Sequence, residues 1–232
     1  MFIFAHVFCG ALIGLGFWHL TNDRRALPIC IFGAILPDLF DKFSALLIPG
    51  LLGGGRTICH SLAFFAIVLL FGILIWQYGH TLLGIAFACA ILSHQILDAM
   101  WNLTSTWFYP LFGAFPTYMI PDYVGHYFWL EISNPSEWVF GCVSLILIAA
   151  WYMSIPKNHK KLMTPLQTTH TRFVAVCLLG VMSVYFLFFG LAAIPGAFFA
   201  PTYDPVTDVM AGIIAMCGAI VFLKWQMFPV RQ

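Results

Sequence analysis

Charged side chains are scarce in this sequence. Only 9 Asp and Glu and 10 Lys and Arg occur among 232 residues, so 8% of the chain is charged, against roughly 25% in an ordinary soluble domain. Hydrophobic residues make up 62% of the chain. The net charge of +1 and the lack of a basic tract exclude nucleic acid as a partner. The composition therefore predicts an integral membrane protein whose first partner is the lipid bilayer.

Two further patterns are missing. The 7 cysteines are scattered singly, without a C-x-x-C pair, so no disulfide framework is expected. The first apolar run, "MFIFAHVFCGALIG", has no basic residues in front of it, as a cleaved signal peptide would have. We therefore expect this segment to remain in the mature chain as a membrane helix.

Six apolar stretches are long enough to cross about 30 Å of hydrocarbon. They lie near residues 2–20, 60–78, 81–100, 137–154, 173–194 and 209–227. A seventh stretch, residues 26–40, is short and ends in Pro37 and Asp38, so it either crosses or dips into the membrane and returns. We predict an all-α, polytopic membrane protein of about seven transmembrane helices, with residues 1–232 forming a single integral membrane domain.

The basic residues predict the orientation, because Lys and Arg are retained in the cytoplasm. With seven crossings and the N-terminus outside, only Lys42 and Arg56 lie outside. Eight basic residues then lie inside: Arg24, Arg25, Lys157, Lys160, Lys161, Arg172, Lys224 and Arg231. The same threading places Asp23 inside and every other acidic residue outside. We therefore expect an outer N-terminus and an inner C-terminus.

Six ionisable residues approach the same, outer membrane face under this threading. His94 and Asp98 lie at positions i and i+4 of a helix and point at a common centre. His6 begins the first segment, Asp38 and Asp41 end the second, and His60 begins the third. A carboxylate within a membrane segment costs roughly 2.5–3.5 kcal/mol and is rare unless it is paired or functional. We therefore expect these six side chains to converge at the outer face.

Imidazole and carboxylate ligands suit Zn²⁺ best, with Mn²⁺, Fe²⁺ or Co²⁺ as alternatives. Three His and three Asp are more ligands than one tetrahedral ion needs. We predict two metal ions that share a bridging carboxylate, for which Asp98 is the candidate.

Each of these residues also has a simpler interpretation. His6 alone is compatible with an interfacial histidine bonded to a backbone carbonyl. Asp38 after Pro37 is compatible with a helix cap, and Asp41 beside Lys42 with a surface ion pair. His94 and Asp98 are compatible with a proton relay or a buried hydrogen bond. A shared membrane face is what favours the metal site over these separate explanations.

The stretch "LLGGGRTICHS", residues 51–61, lies between the second and third segments. Its glycines allow the backbone to approach a ligand, and it leads into a helix N-terminus, where free N–H groups favour an anion. Arg56 adds a positive fork suited to phosphate. The alternative is a tight turn, with Arg56 extending to the headgroups.

Five motifs in order carry a resemblance to a known family. They are H-x-x-x-G (His6 to Gly10), "LPDLFDK" (36–42), "GRTICHS" (55–61), "LSHQILDAMW" (92–101) and "YPLFG" (109–113). Over roughly residues 1–140 the sequence resembles the YdjM-like family of membrane-bound, metal-dependent hydrolases, placed in bacterial or archaeal cytoplasmic membranes. Residues 141–232 carry no motif that we can match and are expected to add transmembrane helices.

That family is considered distantly similar to zinc-dependent phospholipase C and to single-strand nucleases of the same helical fold. The resemblance implies one metal held by Asp41, with or without Asp38, and by His60, His94 and Asp98, and a second held by His6 and Asp98. The soluble relatives have a further His-x-x-x-Asp pair for a third metal. This chain has no second copy, although Asp122 and His126 offer a substitute at i and i+4.

We therefore expect an enzyme that hydrolyses a phosphoester or pyrophosphate, with Asp98, Arg56 and His126 in its catalytic machinery. A site at the membrane face favours a lipid or lipid-linked phosphate as substrate. The alternative is a metal-ion or proton transporter that uses the same cluster as a transit site, although transport calls for ionisable residues across the midplane. A catalytically inert scaffold would leave the shared polar face unexplained. The oligomeric state stays open.

Overall fold

A computed structural model describes residues 3–48, 54–116, 122–153, 165–192 and 205–225, and these residues form helices and connecting turns. The α-helices are α1 (Ile3–Thr21), α2 (Ala26–Leu47), α3 (Leu62–Gly79), α4 (Leu83–Leu97), α5 (Thr104–Trp107), α6 (Tyr123–Ile132), α7 (Pro135–Met153), α8 (Pro165–Ala192) and α9 (Pro205–Trp225). Two 3₁₀ helices lie at Ile58–His60 and Met100–Asn102. The predicted all-α class is confirmed for this part of the chain.

The chain divides into two compact units, Met1–Glu137 and Trp138–Gln232. The sequence predicted one continuous membrane domain with its motifs ending near residue 140, and the first unit ends close to that position. In the first unit, α1 packs on α2, and α4 packs on α1, α2 and α3. In the second unit, α8 packs on α9, and the ring of Phe140 stacks on that of Phe186 at 4.8 Å.

Each of the seven apolar stretches predicted from the sequence coincides with one of the longer helices. By length and composition, however, two of the described helices are clearly able to cross a membrane: Ile3–Thr21 and Leu62–Gly79. Only 6% of the apolar window of α3 is buried within the chain, so most of its apolar side chains are at least partly exposed. A surface of this kind is typical of a helix in contact with lipid or with a partner. The number of seven crossings stays a prediction.

The second segment differs from the short one expected. Helix α2 does not end at Pro37 but continues through it to Leu47, for 22 residues, or about 33 Å. A proline inside a helix removes one backbone hydrogen bond. Here Leu36, Pro37 and Asp38 are all buried, and this tertiary packing outweighs the local preference of proline to end a helix. Residues 26–47 thus form one continuous helix, and its path through the membrane stays a prediction.

Small residues bring the helices of the first unit into close contact. A Cβ atom added to Gly10 would lie 2.8 Å from the Cβ of Ala34 and 2.8 Å from the carbonyl oxygen of Cys30. A Cβ on Gly72 would lie 2.6 Å from the carbonyl carbon of Gly84. Glycine is thus required where α1 crosses α2 and where α3 crosses α4, as at many helix contacts in membranes.

Candidate metal centre

Four helices bring their polar ends together at one end of the first unit. This end contains the start of α1, the C-terminal half of α2, the 3₁₀ turn before α3 and the end of α4. The structure brings together all six residues that the sequence predicted to converge, and each of them is buried: His6, Asp38, Asp41, His60, His94 and Asp98. A cluster of this kind in an apolar bundle needs either mutual pairing or a cation.

His60 and His94 face each other through one ring nitrogen each. The Nδ1–H of His94 donates to the carbonyl oxygen of Ala34 at 2.7 Å, and the Nδ1–H of His60 donates to Asp41 Oδ2 at 2.7 Å. Because both partners are acceptors, each Nδ1 is the protonated nitrogen and each Nε2 is directed into the cluster. The two Nε2 atoms lie 3.1 Å apart. At that distance a proton or a metal ion must lie between them.

Asp38 and Asp98 contribute oxygens to the same position. Asp38 Oδ1 lies 3.6 Å from His60 Nε2 and 3.9 Å from His94 Nε2. Asp98 Oδ2 lies 3.5 Å and 3.9 Å from the same two atoms. Asp38 Oδ1 is buried and accepts no hydrogen bond, whereas Asp98 Oδ2 is buried and also lies 3.0 Å from Arg56 Nη2. These two oxygens and the two imidazole nitrogens therefore point into one shared space.

The separations fit a metal ion. One donor atom from each of Asp38, His60, His94 and Asp98 lies within 4.8 Å of all the others. Zinc with bonds of about 2.0–2.1 Å and tetrahedral angles places its ligands about 3.3 Å apart. The nitrogen and oxygen distances of 3.1 to 3.9 Å bracket that value. These four residues could hold one ion.

Asp41 has a different place from the one the family resemblance implied. Its carboxylate accepts the His60 Nδ1–H and the backbone N–H groups of Thr57 at 2.7 Å and Cys59 at 3.3 Å. Asp41 is absent from the four-residue group, whereas Asp38 belongs to it. The structure thus places Asp41 behind His60, where it orients the imidazole, and Asp38 in the position expected of a ligand.

His6 lies beside both Asp98 and His94. Its Nε2 lies 3.2 Å from Asp98 Oδ1, and its ring stacks on that of His94 with centroids 3.9 Å apart. The His6 Nδ1 is buried and has no hydrogen-bond partner. Asp98 therefore directs Oδ1 toward His6 and Oδ2 toward the two other histidines. This is the arrangement that a bridging carboxylate requires.

Two cationic side chains border the cluster. Lys42 Nζ donates to Asp38 Oδ2 at 2.8 Å, and Arg56 Nη2 lies 3.0 Å from Asp98 Oδ2. The Lys42 and Arg56 side chains are 19% and 23% exposed, whereas both carboxylates are buried. Lys42 thus pairs with Asp38 one helical turn away, and not with the adjacent Asp41. The cations lie on the accessible edge of the cluster.

The acidic surroundings hold a proton on His60 when no metal is bound. Burial lowers the pKa of the His60 imidazole, but the nearby carboxylates of Asp38, Asp41 and Asp98 raise that pKa above its ordinary value. Three carboxylates around one buried imidazole thus favour a positive charge at this position. A divalent ion would replace that proton.

Part of the turn predicted to bind an anion at the start of α3 is already bonded within the protein. Gly54 and Gly55 have positive φ, as a glycine turn needs, and Gly53 lies outside the described residues. The N–H groups of Thr57 and Cys59 are bonded to Asp41, however, and the N–H of Phe64 is bonded to the Ser61 side chain. The Asp41 carboxylate therefore takes up two N–H groups of the turn, and phosphate binding by the rest of the turn stays a prediction. Arg56 contacts Asp98 at the edge of the cluster.

Asp122 precedes α6 and His126 lies on it, and both line a surface pocket of about 490 Å³ with Gly125, Phe128 and Trp129. No residue of the metal cluster lines this pocket. Asp122 accepts the N–H of Gly125 and caps α6. The structure thus gives Asp122 a capping role, and the catalytic role of His126 stays a prediction.

One buried residue of the site was not predicted from the sequence. Gln95, fully buried, bonds to the carbonyl oxygens of Cys59 and Ser61, the two neighbours of His60. The signal that could have found it is an amide side chain in an apolar helix, directly after His94.

A helical bundle with apolar outer faces and a buried His and Asp cluster at one end defines a membrane protein with a candidate metal centre. The chain belongs to the YdjM inner membrane protein family, whose model matches residues 1–194. The family therefore agrees with the resemblance carried by the motifs, and it places the chain in a lipid bilayer. Neither a curated protein nor a solved structure shows significant similarity to the chain.

Proposed function

We propose that this protein is a metal-dependent membrane hydrolase that cleaves a phosphoester or pyrophosphate bond of a lipid or lipid-linked substrate. The observation that carries the proposal is the convergence of two imidazole Nε2 atoms and two buried carboxylate oxygens on one position. Nitrogen and oxygen donors in this mixture are typical of Zn²⁺, and Mn²⁺, Fe²⁺ and Co²⁺ accept them too.

We propose that the centre holds two ions. Asp38, His60, His94 and Asp98 Oδ2 would hold the first ion, and His6 with Asp98 Oδ1 would contribute to the second. Divalent ions bound in this way polarise a phosphoryl oxygen and lower the pKa of a coordinated water. The residues of the chain hold the ligands in place: Asp41 orients His60, and the carbonyl oxygen of Ala34 orients His94.

The charges of the site favour an anionic substrate. The three carboxylates of Asp38, Asp41 and Asp98 exceed the two cations of Lys42 and Arg56 by one negative charge. A single divalent ion would convert this excess into one positive charge. Arg56, at the accessible edge, is placed to bind a phosphate oxygen with its planar fork, and Lys42 is placed to add a second contact.

Apolar side chains around the cluster favour a lipid. Leu39 and Phe40, which separate Asp38 from Asp41, are 55% and 56% exposed. Ile58, two residues before His60, is 50% exposed. The cluster side of α2 is therefore polar, and its other side is apolar over the same turns. The polar side would suit the headgroup of a lipid molecule, and the apolar side would suit its acyl chain.

A hydrolase accounts for the position of the polar residues better than a transporter does. Among the described residues of the first unit, every buried charged or histidine side chain lies at the cluster end, and none lies in the opposite half of α1 to α4. A transit pathway calls for ionisable groups across the midplane. We place the cluster at the outer membrane face, because Arg24 and Arg25 follow α1 at the opposite end.

The purified full-length protein in detergent or nanodiscs would test the proposal. We expect elemental analysis to find about two divalent transition-metal ions per chain, and a panel of phospholipids and lipid pyrophosphates to yield at least one substrate. Hydrolysis should stop with a chelator and return with Zn²⁺ or Mn²⁺. A protein that binds no metal after reloading, or that moves metal ions across a vesicle membrane without hydrolysis, would contradict the proposal.

A further inference from the structure

We propose that Gln95 and Trp107 together act as positioning residues that fix His60 at its distance from His94, an inference that rests on the proposed metal centre. The observation behind it is a fully bonded amide in the core of the bundle. The Nε2 group of Gln95 donates to the carbonyl oxygen of Cys59 at 3.2 Å and to that of Ser61 at 2.9 Å. These two residues flank His60 on either side.

The orientation of the Gln95 amide is determined by its third partner. Its Oε1 accepts the indole N–H of Trp107 at 3.1 Å. A flipped amide would place the oxygen against two carbonyl oxygens and the NH₂ group against an N–H donor, so only one orientation satisfies all three bonds. Gln95 is fully buried, where an unsatisfied amide is costly. Trp107 therefore holds Gln95 in the orientation that binds the turn of His60.

The turn that carries His60 is held from two sides. On one side, Asp41 of α2 accepts the N–H groups of Thr57 and Cys59. On the other side, Gln95 of α4 binds the carbonyl groups of Cys59 and Ser61. A 3₁₀ turn of three residues has few hydrogen bonds of its own, so its position depends on these side chains. The hydrogen bonds to Asp41 of α2 orient the His60 ring, and the hydrogen bonds from Gln95 of α4 set the distance of that ring from His94.

Gln95 directly follows His94 in α4. Its hydrogen bonds to the residues beside His60 therefore link the position of His60 to that of His94. Any movement of the Ser61 and Cys59 carbonyl groups relative to Gln95 changes the 3.1 Å separation between His60 Nε2 and His94 Nε2. Trp107 lies on α5, which follows α4 after the 3₁₀ turn Met100–Asn102. The segment after α4 thereby supports the metal ligands without supplying one.

Cobalt binding to the purified full-length protein tests the inference, because the visible spectrum of Co²⁺ responds to the geometry of its ligands. Trp107→Phe removes the indole N–H and keeps an aromatic ring, and Gln95→Glu places two oxygens near the carbonyl groups of Cys59 and Ser61. The matched control is Trp76→Phe on α3, a tryptophan that is 49% exposed. Thermal unfolding of each metal-free variant is measured in parallel.

We expect Trp107→Phe to raise the Kd for Co²⁺ by about 10- to 100-fold, the range typical of residues that orient ligands, and to shift the absorption bands. Its unfolding temperature without metal should stay close to that of the wild type, and Trp76→Phe should change neither property. Gln95→Glu should also shift the absorption bands, because it removes the NH₂ donor that binds the carbonyl groups of Cys59 and Ser61. If it does not fold, Trp107→Phe alone decides the question.

Two outcomes would overturn the inference, and they are distinguishable. If wild-type protein binds Co²⁺ and Trp107→Phe retains its Kd and spectrum, the positioning role is wrong and the metal centre stands. If wild-type protein gives no cobalt spectrum and no metal by elemental analysis, the proposed metal centre is wrong, and the positioning role falls with it.

Discussion

His60 Nε2 and His94 Nε2 lie 3.1 Å apart in the interior of the bundle, and the Nδ1 atom of each ring is bonded to a fixed acceptor. Neither imidazole can turn its other nitrogen inward without losing a buried hydrogen bond. Two lone pairs at this distance repel each other unless a cation lies between them. The carbonyl oxygen of Ala34 and the carboxylate of Asp41 therefore fix both Nε2 atoms toward one position, where a positive ion would be stabilised.

Replacing either inner histidine should remove the metal. We expect His60→Ala and His94→Ala to lose more than about 100-fold in metal affinity, beyond the range for residues that only orient a ligand, and to lose hydrolysis. Asp98→Asn should behave like them because it removes the charge of the bridging group. His80→Asn is the control: His80 is exposed, ends α3 with a φ of 51°, and asparagine tolerates that conformation. Metal content by elemental analysis checks the set, and equal losses in His60→Ala and His80→Asn would contradict it.

The two carboxylates of α2 should respond differently to the loss of their charge. Asp38→Asn removes a ligand and should abolish metal binding, whereas Asp41→Asn leaves the ligands in place and loosens the orientation of His60. For Asp41→Asn we expect a 10- to 100-fold increase in the metal Kd. Chelator competition measures both. The reverse order, with Asp41→Asn losing all metal and Asp38→Asn retaining it, would return Asp41 to the ligand position implied by the family.

This difference shows where the sequence stops being informative. Asp38 and Asp41 are three residues apart, so they lie about 60° apart around α2 and both face inward. Helical periodicity therefore predicts that both approach the site but cannot say which one is opposite a histidine Nδ1. The tertiary contacts of the 3₁₀ turn Ile58–His60 select Asp41, because the N–H of Thr57 and the Nδ1–H of His60 both donate to its carboxylate. The same contact occupies the turn that the glycines and Arg56 suggested for phosphate.

The helices and their convergence were predictable for a physical reason. Hydropathy is a local property, so each apolar stretch marks a helix, and alternating crossings bring His6, Asp38, His60 and Asp98 to one end. The extension of α2 through Pro37 was not predictable, because it depends on burial against α1 and α4. Gln95 was overlooked because its partners are backbone carbonyl groups, which no residue pattern reveals.

The contact between α1 and α2 should control the position of His6. Gly10 lies one turn after His6, and an added Cβ would be 2.8 Å from Ala34 Cβ and from the Cys30 carbonyl oxygen. We expect Gly10→Ala to destabilise the protein by about 1–3 kcal/mol through overpacking and to lower the content of the second metal. Gly16→Ala is the matched control, because a Cβ there meets no atom within 4 Å. Unfolding in detergent and elemental analysis measure both effects, and equal behaviour of the two variants would contradict the argument.

Arg56 should act on the substrate and not on the metal. Arg56→Gln removes a positive charge 3.0 Å from Asp98 Oδ2, so the affinity for a cation should stay equal or rise. Turnover of a phosphate substrate should fall on the order of 100-fold, as after loss of one donor to a developing charge. Kinetics and metal content are measured on the same preparation. Loss of metal together with activity would mean that Arg56 only holds Asp98 in place.

The membrane orientation of the cluster can be tested with two equally exposed positions on the first unit. Leu111, after α5, is 81% exposed, and Tyr78, at the end of α3, is 83% exposed. The residues before Leu111 connect to the cluster through Trp107 and Gln95, whereas α3 runs from the cluster to Tyr78 at its far end. The basic residues Arg24 and Arg25 follow α1 at that far end, and they predict that it faces the cytoplasm.

In a background with Cys142, Cys177 and Cys217 changed to Ser, an impermeant maleimide added to intact cells should label Leu111→Cys and spare Tyr78→Cys until the cells are opened. Labelling of Tyr78→Cys alone would place the cluster at the cytoplasmic face, and its substrate would then have to come from the inner leaflet or the cytoplasm. Labelling of both positions from outside would mean that α3 does not cross the membrane.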